Sequence, residues 1–249
     1  MATSSQTSPI VSSTKRATSA AGRYFYFGMS LLIAAVVIYG FSHTVDQNLI
    51  HGKPARPWLL WVHGTLFSGW VAFFILQSGL VRTHNVRVHR RLGWVGAGLA
   101  VAMTLVGIAT AVVMRRFDMR FEPADVAGPP AFLIIPLWDI ACFTVFFWLA
   151  VNWRKKPEMH RRLMLIATCA LTAAAWGRMP NQTFQTVWFY SGVDALILLG
   201  VARDLLVMKS VHRVYWYALP ALVVGQVFVM RTLLTTAPWW TRIANAILR

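Results

Sequence analysis

A histidine followed by one or two arginines occurs three times in this 249-residue sequence, at residues 88–93, 159–164 and, in a shorter form, 211–214. Each copy stands where a basic stretch ends and a long apolar run begins. The free N–H groups at a helix start, together with arginine side chains, can hold a phosphate group. Basic residues at such a place also orient a membrane helix and contact anionic lipid headgroups. Both interpretations stay open, and they concern His89, Arg90, His160, Arg161, His212 and Arg213.

Ionisable and polar side chains also interrupt the apolar runs themselves. A charged residue inside a membrane span costs about 3 kcal/mol or more, so such residues are expected to face the protein interior and to pair. Their depth predicts ion pairs between Asp139 and Arg178 and between Asp194 and Arg231. Either these are structural ion pairs, or the polar residues form a site for a substrate, a proton or another ligand. The candidate site residues are His63, Gln77, Asp139, Arg178 and Asp194.

The seven histidines allow a third kind of chemistry. A b-type haem needs two imidazoles on facing helices. The available pairs are His43 with His63 on one side of the membrane and His89 with His160 on the other. The sequence contains no His-Glu-x-x-His, P-loop, Gly-x-Ser-x-Gly or Cys-x-x-Cys motif, so it offers no sign of those enzyme classes.

The elements that must position these residues are membrane helices. Hydrophobic residues make up 57% and charged residues 13% of the chain, against about 25% charged residues in soluble domains. Apolar runs of about 20 residues span a bilayer. The prediction is an all-α, polytopic transmembrane bundle of about seven spans, at residues 24–42, 58–81, 92–114, 130–152, 163–179, 184–201 and 214–234.

Charge asymmetry gives the topology. The formal net charge is +16, and most Lys and Arg residues lie in short loops on one side, which predicts a cytoplasmic N-terminus and an external C-terminus. The charge therefore indicates anionic lipid headgroups, not nucleic acid, as the partner. Spans two to seven form three similar hairpins after an anchor helix, each with a His-Arg pair at the start of its returning helix. Cys142 and Cys169 fall in apolar runs and are read as core residues.

Residues 1–22 are rich in Ser, Thr and Ala and end in basic residues. They are predicted to be a disordered basic tail, with an organelle transit peptide as the alternative. Residues 23–249 are predicted to form the transmembrane domain.

Residues 63–67, 77–81, 89–94 and 159–165, together with Arg178, resemble a family of uncharacterised bacterial multi-pass membrane proteins, a domain of unknown function with repeated His-Arg-Arg-Leu motifs. The resemblance covers about residues 57–235. It implies a protein of the bacterial inner membrane and supplies no reaction. The function expected from the sequence is handling of a small molecule or ion, by transport or sensing. The alternatives are a haem-binding redox protein and a structural or assembly protein.

Overall fold

Helices and helical turns make up every regular element in the described part of the chain. The computed structural model describes residues 10–180 and 188–249, and their side chains except at 10–23, 124 and 125. The α-helices are α1 Ile10–Ser42, α2 Leu59–Arg82, α3 Val86–Phe121, α4 Ala124–Ala127, α5 Ile134–Asn152, α6 Pro157–Ala170, α7 Ala173–Trp176, α8 Phe189–Met208, α9 Arg213–Leu234 and α10 Pro238–Leu248. A π-helical turn, Asp46–Ile50, and a 3-10 turn, Pro130–Leu133, lie between them.

Five segments in the described residues are long and apolar enough to cross a membrane. They are Tyr24–Ser42, Leu59–Arg82, Val86–Phe121, Pro130–Asn152 and Arg213–Leu234. A hydrocarbon core of about 30 Å needs about 20 helical residues. The chain is therefore an all-helical membrane protein, as the sequence predicts.

Two predicted segments, the N-terminal tail and the sixth span, lie partly outside the described residues. Helix α1 begins at Ile10, so part of the predicted tail 1–22 continues the first helix, while residues 1–9 lie outside the described residues. The predicted sixth span, 184–201, also begins outside them; its described part belongs to α8.

Local sequence explains where the returning helices start. Helix α6 begins at Pro157, whose fixed φ angle and missing N–H suit the first helical position. Helix α9 begins after His212, whose side-chain Nδ1 accepts a hydrogen bond from the backbone N–H of Val214 at 3.3 Å. This bond satisfies one of the free N–H groups of the helix start.

Helix α6 is the centre of the bundle. It packs against α5, α8 and α9 and also contacts α1. Its buried residues are Arg162, Leu163, Leu165, Ile166, Ala167, Thr168, Cys169 and Ala170. Because neighbouring helices cover this surface, α6 does not need the continuous apolar exterior of a helix that faces lipid. That explains how it accommodates a buried arginine. Helix α6 is not among the five apolar segments because it has only 14 residues.

Large aromatic side chains and small residues complete the packing. Trp70 of α2 meets Phe143 and Phe147 of α5 edge to face, at centroid distances of 5.0 and 5.6 Å. Gly225 of α9 lies against the ring of Trp138, where any side chain would overlap the indole. Such contacts bring helices close without polar bonds.

Contacts place the two ends of the bundle. At the basic end, defined by the turns 83–85, 153–156 and 209–212, the start of α6 meets the start of α3 and the end of α8. At the opposite end, Gly40 of α1 lies against the backbone of Ala175 in α7, and Tyr190 of α8 bonds Asp139 of α5. The segment α6–α7 and helix α8 thus both connect the basic end with the opposite end.

Candidate functional site

His89 and His160 meet at the basic end. Each is the fourth residue of its helix, α3 and α6 respectively. Their ring centroids are 6.2 Å apart and their planes make an angle of 72°. Both side chains are half-buried. Two copies of the repeated motif therefore present their histidines to one another.

The same kind of hydrogen bond holds both rings. His89 Nδ1 donates to Gln77 Oε1 of α2 at 2.6 Å, and His160 Nδ1 donates to the backbone oxygen of Ala150 in α5 at 2.9 Å. In each case the acceptor belongs to the preceding helix of the same hairpin. Because a carbonyl oxygen only accepts, the proton is on Nδ1, and the lone pair of the neutral ring is on Nε2. In the described part of the chain, neither Nε2 has a hydrogen-bond partner.

The protonation state of His160 follows from its surroundings. Burial lowers the pKa of His160 below its ordinary value of about 6.5, and the bond to Ala150, which raises it, does not compensate. The ring is consequently neutral at pH 7. A neutral imidazole with Nδ1–H bound to a carbonyl oxygen is the form in which histidine ligates metals.

Gln77 has a second polar atom at this place. Its side chain is 8% exposed, and its Nε2 is buried without a partner in the described residues. The Oε1 atom of the same amide holds His89. The amide therefore orients the ring and leaves one buried donor close to it.

A network of charged side chains, three of them buried, lies beside the histidine pair. Arg162, which is 0% exposed, donates from Nε to Asp204 Oδ2 at 2.8 Å and from Nη2 to Asp204 Oδ1 at 2.5 Å. It also bonds Glu158 Oε2 at 2.7 Å, and Arg203 bonds Asp204 Oδ1 at 2.9 Å. The Arg161 guanidinium also pairs with Glu158. The network joins the start of α6 to the end of α8.

The third copy of the motif enters the network through its backbone. The N–H of His212 donates to Asp204 Oδ2 at 3.3 Å. Its ring caps α9 and is not part of the histidine pair. Burial and the positive charge of Arg162 lower the pKa of His212.

The two acids of the network are held ionised. Burial alone raises the pKa of the Asp204 carboxyl, but the hydrogen bonds from Arg162 and Arg203 outweigh it, so the pKa lies below its ordinary value. The pKa of Glu158 is lowered for the same reasons. Arg162 is fully engaged by these acids, whereas Arg90 and Arg213 are exposed.

At the opposite end, His63 stacks on Phe67 at a centroid distance of 4.0 Å. Its Nδ1 is buried and has no partner in the described residues. The charge of Arg178 acts on His63 electrostatically, and its guanidinium carbon lies 4.7 Å from the centre of the Phe41 ring. These two members of the expected polar site therefore lie within electrostatic range of each other, with no hydrogen bond between them in the described residues.

The expected ion pairs of the two interior acids are not what the structure shows. Asp139 accepts a hydrogen bond from the Tyr190 hydroxyl at 3.0 Å, and Asp194 accepts one from Gln226 Nε2 at 3.0 Å. In the described residues neither acid forms a salt bridge, because each faces a neutral side chain on the helix packed against it. Similar depth along two helices did not place Arg178 or Arg231 beside an acid.

Gln77 and His43 do not lie at the sites expected for them. Gln77 lies about 21 Å along α2 from His63, at about 1.5 Å per residue, and serves the histidine pair instead. His43 is exposed, and its Nδ1 bonds the backbone oxygen of Tyr39 in the last turn of α1 at 2.8 Å.

Asp204 and Arg203 are the important residues that sequence reasoning missed. The chain has only eight acidic residues. An acidic residue directly after an arginine, shortly before the third His-Arg copy, is the sequence feature that could have identified a partner for the buried Arg162.

Comparison with known proteins finds no matching family model, curated protein or solved structure.

Proposed function

We propose that this protein is a membrane redox protein in which His89 and His160 would hold one b-type haem at the basic end. The observation that carries the proposal is the matched pair of hydrogen bonds, which gives both rings a free Nε2. This hydrogen-bond pattern is the usual outer-shell arrangement of metal-bound histidines.

The spacing of the rings supports the proposal. A metal–nitrogen bond of about 2.0 Å, plus about 1.1 Å from nitrogen to ring centre, separates two coordinating imidazoles by about 5 to 6.2 Å between centroids, depending on the bond angle. The observed centroid distance of 6.2 Å lies within this range.

The donor set favours haem over a bare ion. No group of three or more His, Cys, Asp or Glu side chains in the described residues is arranged to hold a metal. Two imidazoles alone complete too little of the shell of a zinc ion, which takes four ligands. A haem iron already has four porphyrin nitrogens and needs only axial ligands from the protein.

The protein's part in this chemistry is positional and electrostatic. A bound haem would supply one-electron transfer. Gln77 and the Ala150 carbonyl fix the ring orientation and raise the basicity of Nε2. Arg90 and Arg91 of α3 and Arg154 of the turn after α5 would provide positive charge for acidic haem substituents.

The test is an absorption spectrum of detergent-purified protein, produced with ample haem precursor, before and after reduction with dithionite. We expect a Soret band that shifts on reduction, and we expect it to be lost in His89→Ala and in His160→Ala. His84→Ala removes an exposed histidine from the adjacent turn and should keep the spectrum. A colourless wild-type protein, or unchanged spectra in both ligand variants, would refute the haem assignment.

Gln77→Leu separates ligation from tuning. It should retain haem but lower the basicity of His89, and so change the midpoint potential. An unchanged midpoint potential would show that Gln77 does not tune the site. The assignment of the two ligands is tested separately, by the absorption spectra.

We further propose seven membrane crossings. The five apolar segments provide five, and the predicted spans 163–179 and 184–201 provide the other two, since the segment α6–α7 and helix α8 each connect the basic end with the opposite end. Charged residues in α8 are tolerated because Asp204 and Arg203 lie at its basic end and Asp194 is bonded to Gln226. The three hairpins would then be α2–α3, α5–α6 and α8–α9.

The orientation and location rest on charge and resemblance. Positively charged loops favour the cytoplasm, so the basic end is placed inside and the C-terminus outside. The resemblance to bacterial multi-pass proteins supports the inner membrane. A reporter active only in the cytoplasm, fused after Arg249, should be silent, whereas the same reporter inserted at 155 should be active. The opposite result would overturn the orientation.

A second candidate is a ligand site at the opposite end. It is favoured by the buried Nδ1 of His63, which has no partner among the described residues and lies within electrostatic range of Arg178. A panel of small carboxylates and cations should contain a compound that raises the melting temperature of wild-type protein but not of His63→Ala. If every stabilising compound acts equally on both proteins, this candidate fails.

A further inference from the structure

Four buried polar atoms at the basic end have no hydrogen-bond partner in the described residues, and they belong to one cluster. They are Tyr26 Oη, Tyr215 Oη, Arg161 Nε and Arg203 Nε. Each can donate a hydrogen bond. Leaving a buried donor without an acceptor costs about 1–3 kcal/mol. Four such donors in one cluster therefore favour an acceptor group that binds among them.

Tyr26 is the centre of this cluster. The guanidinium carbons of Arg161 and Arg203 lie 5.2 and 5.7 Å from the centre of its ring. The two arginines come from α6 and α8, so Tyr26 of α1 stands between two helices. Both guanidinium groups thus lie against the Tyr26 ring, and their Nε atoms and the Tyr26 hydroxyl are hydrogen-bond donors in the same region of the protein.

Tyr215 reaches the same place from α9. It is 2% exposed, and its hydroxyl lies against Gly200, one turn before Asp204 on α8. It is close enough to Tyr26 and Asp204 to interact with both electrostatically. Four helices therefore contribute to the cluster.

The charges of the cluster do not balance. Arg161, Arg162 and Arg203 are three positive groups, and Glu158 and Asp204 are two negative groups. One positive charge remains. Glu158 and Arg161 have side chains 48% and 31% exposed, so the cluster opens to the surface at the basic end.

We propose that Tyr26, Tyr215, Arg161 and Arg203 bind one phosphate group that carries a single negative charge. Such a group balances the excess charge, and its oxygens accept hydrogen bonds from the unpartnered donors. A phospholipid headgroup and free phosphate share this chemistry. The site is separate from the His89–His160 pair and does not depend on the haem proposal.

The experiment measures the melting temperature of the full chain in dodecyl maltoside without phosphate. Inorganic phosphate is titrated in one arm and phosphatidylglycerol in the other, with sodium chloride and diacylglycerol as the respective controls. A ligand that binds the folded state gives a saturable rise in melting temperature. A rise with inorganic phosphate identifies a soluble anion, whereas a rise with phosphatidylglycerol alone identifies a headgroup. No rise in either arm beyond its control overturns the proposal.

The variants Tyr26→Phe and Tyr215→Phe remove one hydroxyl each and keep the ring. Each should weaken the apparent affinity about tenfold or more, because a hydrogen bond to a charged group is lost. Without phosphate each should melt no lower than wild type, since an unpartnered buried hydroxyl has been removed. Tyr217→Phe changes an exposed tyrosine at the same end and should behave as wild type. If both variants bind as tightly as wild type, the site is refuted.

Discussion

Replacement of Asp204 by Asn should destabilise the protein more than any other isosteric change in the charge network. Asp204 is 0% exposed and accepts hydrogen bonds from Arg162, Arg203 and the backbone of His212. Asn keeps the shape but removes the negative charge and replaces one acceptor oxygen by an amide nitrogen. Arg162, itself fully buried, then lacks its principal counter-charge.

The magnitude follows from burial. Removal of one partner from a buried ion pair costs about 3–5 kcal/mol, because the other charge stays desolvated. For a chain of about 250 residues, 1 kcal/mol corresponds to about 2–4 °C in melting temperature. Asp204→Asn should therefore lower the melting temperature in detergent by about 6 °C or more.

Glu158→Gln is the matched control. Glu158 also bonds Arg162, but its side chain is 48% exposed. Solvent screens this pair, so its loss should cost about 1 kcal/mol or less. Thermal unfolding of both variants and wild type, followed by tryptophan fluorescence in one detergent, gives the comparison. Equal shifts for the two variants, or an Asp204→Asn shift below about 2 °C, would refute the reasoning that burial makes Asp204 the principal partner.

Two further predictions concern packing and acid. Gly225→Ala should lower the melting temperature markedly, because a Cβ there overlaps the Trp138 ring. Gly98→Ala is the control: its Cβ has open space, and the change should be neutral or stabilising because alanine favours a helix by about 1 kcal/mol over glycine. Equal effects of the two changes in a thermal melt would contradict the contact between Gly225 and Trp138. A carboxyl with a lowered folded-state pKa stabilises the fold above its unfolded pKa, about 3.9 for Asp, and loses this contribution as the pH falls through the folded value. Wild-type protein should therefore lose more stability below about pH 4 than Asp204→Asn does, and parallel pH profiles would show that Asp204 does not titrate as proposed.

Part of the candidate site was predictable from the sequence. The repeated motif marks His89 and His160, and both are indeed placed alike, at the fourth residue of helices that start at the same end. The sequence allows them as one of two possible haem-ligand pairs because both stand at the basic boundary of the apolar runs. The polar residues inside the apolar runs were also recognised, since hydrophobic sequence makes any charge conspicuous.

The partners of those polar residues were not predictable. Depth in the membrane suggested Arg178 for Asp139, but the structure pairs that acid with Tyr190. Depth depends on position along one helix, whereas pairing depends on the rotation of two helices about their axes and on their distance. Neither the rotation of the helices nor the distance between them can be derived from the sequence of a single apolar run.

The apolar runs of about 20 residues by themselves determined that this chain is a helical membrane protein, because a helix of that length crosses the hydrocarbon core and bonds its backbone polar groups within itself. The positions of Lys and Arg along the sequence determined which end of the bundle is basic. Only the tertiary structure decided that α6 is the central helix, that Arg162 is buried against Asp204, and that Gln77 serves His89. The physical reason is that each of these is a contact between helices, and such contacts exist only after the helices have packed.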